Sequence, residues 1–486
     1  LSAVLSTTLP STTILLVSGG DRRIALDPQS GVNRYGTRPL PDPELVQLGS
    51  STASTITEHG WLAADALRRT LQVALIRDDD AAVYAEGMAQ LRRAMLSMLG
   101  CEADDTQAVF AASGTDMLLL VGQWLRPGCT VMIDPAESGS GVPLALRGRH
   151  FDSQSACGAS QTPDAQVGAW RGVLRTLAVR NGDGSTRASH DINAECEAAV
   201  DAAAGSGQEV LLVVTDVSKT GMIVPDIECA LKLRRRWPKQ IRILVDACQF
   251  RLSSSTVRGY LAQDCLVAVT GSKFLGGPTF CGALLVPAAS VARLSRQALG
   301  KACAAYSQAA DWPPGWEAAR DLGNGANFGL LLRWHATLAE WSCFVRLEPV
   351  ALNNKVLDCV LALRARLAGD SRFEALPVPP LRRTALGTQA GWDGEQTIFP
   401  FLILNHGQPL AHQQCVRLQM LLREGGMGVP RYALGQPVAC GTRDDVAVSA
   451  LRLCLGAPLL ATLKSEAIIS LAMAALDRTA LLSMQL

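Results

Sequence analysis

Ile243-Leu-Val-Asp-Ala-Cys-Gln249 and Ala268-Val-Thr-Gly-Ser-Lys-Phe-Leu-Gly-Gly-Pro278 are the two stretches on which the reading of this chain turns. Each begins as an apolar, β-branched run and ends in a reactive group. The first delivers Asp246, and the second delivers Lys273 from a Gly/Ser turn 27 residues later. Short runs of this kind predict buried strands. Gln107-Ala-Val-Phe-Ala-Ala, Thr130-Val-Met-Ile-Asp, Val210-Leu-Leu-Val-Val-Thr and Gly282-Ala-Leu-Leu-Val read the same way, with helical patterns such as 226–237 between several of them. Buried strands joined by helices predict an α/β fold, a mostly parallel sheet covered on both faces in three layers.

Outward from this centre the pattern changes twice. Residues 1–60 are rich in Ser, Thr, Gly and Pro, and Gly31-Val-Asn-Arg-Tyr-Gly-Thr-Arg-Pro-Leu-Pro-Asp-Pro excludes a continuous helix, so an irregular arm is expected. From Trp61, Leu62, Ala66, Leu67, Leu71 and Leu75 recur at helical spacing, and a second helical stretch follows over 88–99. We read 61–330 as the large α/β domain, with the polar stretch 152–191 as an insertion or surface loop. Residues 331–486 read as a smaller α+β domain. It opens with a long helical region to about Leu367, broken by Pro377-Val-Pro-Pro, and continues as strand (Thr397 onward), helix (410–423), strand (450–455) and terminal helix (458–482).

Composition narrows the function. A chain of 486 residues that is 48% hydrophobic buries a large core, and 45 basic against 44 acidic residues leave a net charge of +1 with no run of either sign. Nothing draws such a chain to nucleic acid or an anionic membrane, which points to small-molecule substrates. The 14 cysteines include no CxxC pair, so reduced thiols and a cytoplasmic setting are expected. Thr13-Ile-Leu-Leu-Val is too short to span a membrane. The chain starts at Leu1 and not at Met, which leaves room for a removed leader. No HExxH or P-loop is present, Lys219-Thr-Gly lacks the partner motifs of a β-lactamase, and no metal site is expected.

The reactive groups have a chemistry in common. A lysine amine forms a Schiff base with an aldehyde, and a carboxylate keeps a pyridine nitrogen protonated so that the ring accepts electrons, which together describe pyridoxal 5'-phosphate. Upstream, Phe110-Ala-Ala-Ser-Gly-Thr-Asp-Met-Leu reads as strand, Gly turn and helix. The first N–H groups of that helix, with the hydroxyls of Ser113 and Thr115, suit a phosphate; taken alone the turn is also an ordinary capped helix. Asp246 stands where ligands bind in open α/β sheets, although a strand-end Asp is otherwise a turn or cap residue. Gln249 is placed to reach a phenolic oxygen, and Cys248 or Ala247 is small enough to lie against a ring.

In this order and spacing the motifs resemble the fold-type I pyridoxal phosphate enzymes, nearest the class V aminotransferase, cysteine desulfurase and kynureninase branch. The matching segments are Ser113-Gly114-Thr115, Asp246-Ala-Cys-Gln, Lys273 and Gly277-Pro-Thr-Phe-Cys-Gly282, and the resemblance runs from about Gly49 onward. It implies that Ser51 and Thr52, with Tyr35 nearby, line the substrate pocket. It implies that Asn324 and Gly325 reach the phosphate of a partner subunit, making a homodimer with shared sites. It also implies that Arg452 holds the substrate α-carboxylate by a two-pronged contact, the alternative being a strand-end surface arginine.

The chain departs from the branch in several places. Asp134-Pro-Ala-Glu-Ser-Gly-Ser-Gly-Val offers no aromatic where the branch stacks a His on the ring. Ser272 replaces the frequent His before the lysine. Val217-Ser-Lys-Thr-Gly replaces an Asn-rich turn, leaving Asp216 or Ser218 to make the polar contact. Cys343, Cys359 and Cys415 fall in helical patterns, which disfavours a mobile desulfurase cysteine. The expected activity is an aminotransferase acting on a small amino acid. A lyase that eliminates or cleaves at Cβ, and a degenerate binding partner, remain as alternatives.

Overall fold

The computed structural model describes residues 8–389, 391–425 and 429–486. The arm contributes strand β1 (Leu45–Leu48). Then β2 (Gln107–Ala111), β3 (Cys129–Ile133), β4 (Val173–Leu177), β5 (Val210–Asp216), β6 (Ile223–Val224), β7 (Ile241–Ala247), β8 (Leu266–Thr270) and β9 (Gly282–Val286) build one sheet. Its order is β2-β9-β8-β7-β5-β3-β4, with the short β6 paired to β5. Pairing is parallel from β8 through β7, β5 and β3 to β4, while β9 runs against both neighbours. The predicted mostly parallel α/β sheet is present.

Continuous burial of these strands follows from the two-residue period of extended chain. Val131, Leu212, Val214, Ile243, Val245, Val267 and Leu285 face one core, while Met132, Leu211, Val213, Leu244, Leu266, Ala268 and Leu284 face the other. A sheet covered on both sides therefore reads as an unbroken apolar run and not as an alternation. The helix Gly114–Leu125 packs within the second core and is buried from Asp116 to its last residue, which is why Met117-Leu-Leu-Leu-Val is apolar all round.

The stretch 152–191 is not wholly loop. Val173–Leu177 adds in parallel to β3, and a helix begins at Ser189. This strand escaped the sequence pattern because it lies at the sheet edge, where only Leu177 is buried. The other predicted elements lie close to where their patterns put them, except that two long helical readings divide: Phe328–Val345 and Pro349–Ala368 are separate helices, as are Ala457–Thr462 and Ser465–Ser483.

The second sheet contains β1, β10 (Phe373–Ala375), β11 (Ile398–Asn405), β12 (Gln408–Pro409), β13 (Arg431–Arg443) and β14 (Val446–Cys454), in the order β1-β13-β14-β11-β10 with β12 on β11. The arm is thus stitched into this sheet, Leu45–Leu48 lying parallel to Arg431–Leu434. Register slips between Gly435 and Val438, so Gln436 bulges out of the ladder opposite Arg452. Among the described residues, no helix is long and apolar enough to cross a membrane.

Candidate functional site

The parallel strands all end at one edge of the large sheet, and the loops after β2, β3, β5, β7 and β8 converge there on one cavity. Its wall includes Ser113, Gly114, Thr115, Asp246, Cys248, Gln249, Ser272, Lys273 and Arg452, together with Tyr35, Ser51 and Thr52 from the arm. Asp246 and Lys273, which the sequence brings near only in the sense of adjacent strands, therefore share one crevice. β7 and β8 pair with Asp246 opposite Ala268, and Thr270 Oγ1 donates to the Cys248 carbonyl at 2.5 Å, tying the two strand ends together.

Lys273 is held by its neighbours. The Phe274 N–H reaches the Gln249 carbonyl at 3.3 Å, and the Phe274 ring is buried against Trp392, centroids 4.8 Å apart and nearly parallel. Lys273 itself is half-buried and lines the cavity. Asp246 is buried, and its Oδ1 accepts from the Cys248 N–H at 3.1 Å. Burial, reinforced by Asp246, pushes the Cys248 thiol well above its ordinary range, so it serves as a small neutral side chain and not as a nucleophile.

The Ser-Gly-Thr turn is a helix N-terminus, with one change from expectation. Ser113 is the cap: its Oγ accepts the Asp116 N–H at 3.1 Å and donates to the Asp116 carboxylate, so the hydroxyl is already engaged. What remains for an anion is the N–H groups of Gly114 and Thr115 and the Thr115 hydroxyl. Gly114 is required by close approach, since a Cβ there would stand 2.8 Å from Thr270 Cγ2 and 3.0 Å from Cys248 Sγ.

Sequence reading missed Arg23. It comes from the arm, its guanidinium paired with Asp21 at 2.6 Å and lying over the Phe280 ring at 4.6 Å. Its Nη1 and Nη2 reach Thr115 Oγ1 and Ser113 Oγ, each at 3.4 Å. No local pattern singled it out, because an arginine in an irregular segment looks like any solvated one. Glu137 and Lys219, in the loops after β3 and β5, and Gln436, in β13, were missed as well.

Asp116 beneath the turn is fully buried. Burial and then the Asp21 carboxylate push its pKa up to about 7 from an ordinary 3.8. Below the ordinary value both folded and unfolded chains hold the proton. As pH rises from there to about 7 the unfolded chain releases it first, so stability falls through this window and the loss is complete above about 7. We expect Asp116→Asn to abolish that slope, changing the difference in unfolding free energy from the native protein by about 2–4 kcal/mol between about pH 4 and about pH 8. Urea titrations at the two pH values measure it; parallel curves for the two proteins would refute the assignment.

Two expected contacts are corrected. Asp216 does not line the cavity. Its carboxylate is fully buried against Arg383, with Nε at 2.7 Å and Nη2 at 2.5 Å, and accepts a third bond from Tyr260 Oη at 2.6 Å. Ser218 likewise faces away: it donates to Glu137 Oε2 at 2.8 Å and accepts the Thr220 and Met222 N–H groups. Arg383 and Tyr260 for Asp216, and Glu137 for Ser218, are distant partners that no local sequence pattern reveals. Asn324 and Gly325 are exposed in a loop away from this cavity, with the Gly325 N–H on Gln308 Oε1 at 2.9 Å. Cys343, Cys359 and Cys415 all lie within helices and none lines the cavity.

Arg452 was expected to be either a carboxylate ligand or a surface residue; it is buried and lines the cavity. Its Nε and Nη2 donate to the Gln436 carbonyl at 3.2 and 2.9 Å, and its Nη1 to the Lys219 carbonyl at 3.1 Å. Gly435 makes room for it, since a Cβ there would meet the guanidinium at 3.0 Å. The bulged carbonyl thus clamps one edge of the fork, leaving donors on the other.

The cavity suits pyridoxal phosphate on observations of its own. Gln249 Oε1 and Thr215 Oγ1 are buried in its wall without a partner, which a polar ligand would satisfy. The N-terminal turn and Arg23 present donors suited to a phosphate, and Asp246 and Lys273 present a carboxylate and an amine.

No protein-family profile matches the chain, and no curated protein matches it. Among solved structures, the X-ray structure of a NifS-like protein from Rickettsia africae ESF-5 superposes with a TM-score of 0.52, covering 89% of this chain and 99% of that one. The chain folds like that NifS-like protein. At 11% identity the likeness is one of fold, and it extends over nearly the whole of both chains.

Proposed function

We propose that this protein is a pyridoxal 5'-phosphate-dependent enzyme, most simply an aminotransferase acting on a small amino acid. The observation that carries the reading is the meeting of Lys273 and Asp246 in one cavity whose wall also includes the Ser113–Thr115 helix N-terminus. When bound, the cofactor supplies an electron sink for charge that develops on the substrate carbon. The N–H groups of Gly114 and Thr115, the Thr115 hydroxyl, Ser272 and Arg23 hold the phosphate. Asp246 keeps a proton on the ring nitrogen, and Gln249 donates from its amide Nε2 to the phenolic oxygen.

Lys273 would attach the cofactor through Nζ, and the same amine, when free, would take and return the proton at the substrate Cα. Arg452 orients the substrate carboxylate with the donors not spent on Gln436 and Lys219. With no aromatic in 134–142, residues 138–142 and Cys248 of the cavity wall would supply packing for the ring. In a homodimer, the exposed Asn324-Gly325 loop reaches the phosphate site of the partner subunit.

The test is a half-reaction followed spectroscopically. Incubation with the amino substrate converts the cofactor to its amine form, and a keto acid restores it. Ammonia and keto acid released without any amine form would assign a lyase and overturn the aminotransferase reading.

A further inference from the structure

Resting on that reading, the charges of the cavity wall specify its substrate more narrowly. Four cations line it, Arg23, Lys219, Lys273 and Arg452, against the carboxylates Glu137 and Asp246. Arg23 is paired with Asp21, and Glu137 is spent on Arg180, Nε to Oε1 at 3.0 Å, and on the Ser218 and Thr220 hydroxyls at 2.8 Å. Among the described residues, Lys219 and Arg452 are left with carbonyl hydrogen-bond partners alone. Lys219 Nζ donates to the Ala136 carbonyl at 2.9 Å and to that of Pro135 at 3.4 Å, which leaves one N–H unspent among the described residues.

Lys219 is not loosely placed. Its backbone N–H is fixed on the Glu137 carbonyl at 2.8 Å and its own carbonyl accepts from Arg452, so the two cations occupy one built corner of the wall. Burial, then the charges of Arg452 and Lys273, pull the Lys219 pKa down to about 8, against the weaker opposing pull of the Glu137 and Asp134 carboxylates. A cation partly shielded from water and beside other cations costs free energy until an anion arrives. One substrate carboxylate answers Arg452, and the cofactor phosphate and Asp246 are accounted for elsewhere.

We infer that the substrate is an amino acid with a second anionic group, a side-chain carboxylate or phosphate, and that Lys219 is the residue that binds it.

Calorimetric titration of the full chain with paired ligands tests this, with and without added cofactor: L-aspartate against L-asparagine, L-glutamate against L-glutamine, and O-phospho-L-serine against L-serine. At least one anionic member is expected to bind about tenfold or more tightly than its neutral counterpart, and which pair shows the gap separates carboxylate from phosphate. In Lys219→Met the gap closes because the anionic ligand weakens to the level of the neutral one, while Lys219→Arg keeps most of it. Equal or absent binding of every anionic member by the native protein would overturn the inference. So would a Lys219→Met protein in which neutral and anionic ligands weaken alike, since Lys219 would then serve the α-carboxylate with Arg452. The visible absorbance of the cofactor-loaded protein reports separately on the cofactor: its absence, with the charge preference intact, removes the cofactor reading and not this one.

Discussion

Borohydride reduction of the protein in the presence of pyridoxal phosphate is expected to fix the cofactor covalently at Lys273, and the Lys273→Ala variant is expected to retain none. Turnover should fall about a thousandfold or more, because the same amine both attaches the cofactor and moves the proton at the substrate Cα. Peptide mapping makes the result specific. Lys219 is the other lysine of the cavity wall, and its lowered pKa of about 8 makes it the stronger competitor for an aldehyde than a solvated lysine would be. An adduct mapped to Lys219 in the native protein would overturn the assignment of Lys273. An adduct at Lys273 with full turnover in Lys273→Ala would separate attachment from catalysis.

The second large effect is on folding. Arg383→Ala is expected to destabilise the protein by about 3–5 kcal/mol, since it strips a two-pronged partner from a carboxylate with no access to water. Tyr260 alone then remains on Asp216. Replacing both members, Asp216→Asn with Arg383→Met, should cost less than Arg383→Ala, because the penalty comes from the stranded charge more than from the lost attraction. Chemical unfolding measures both. A stable Arg383→Ala protein that instead loses affinity for pyridoxal phosphate would return Asp216 to the cofactor site from which its geometry removes it.

The corner formed by Lys219, Arg452 and the Gln436 bulge links these effects to the fold. β14 delivers Arg452 from the second sheet, and the loop after β5 delivers Lys219 from the first. The cavity is closed by elements more than two hundred residues apart in the chain, and the arm, with Arg23, Tyr35 and Ser51, adds a third side. The charges of the cavity wall therefore come from parts of the protein that no single motif contains.

Legibility followed from locality. Strands buried on both faces announce themselves as apolar runs, and a Gly turn, a strand-end carboxylate and a lysine after Gly-Ser are each set by their immediate neighbours, so the large sheet, Lys273, Asp246 and the Ser113–Thr115 turn could be read from residue order. β4 could not, because an exposed edge strand has no apolar face to show. Nor could the fates of Asp216 and Ser218, or the entry of Arg23, Glu137 and Lys219 into the cavity. Hydrogen-bond and ion-pair partners act over a few ångströms regardless of separation along the chain. Arg383 is 167 residues from Asp216, and Arg23 is 92 from Thr115. Which polar groups face a ligand and which are consumed by the scaffold is settled only when packing brings those distant partners together.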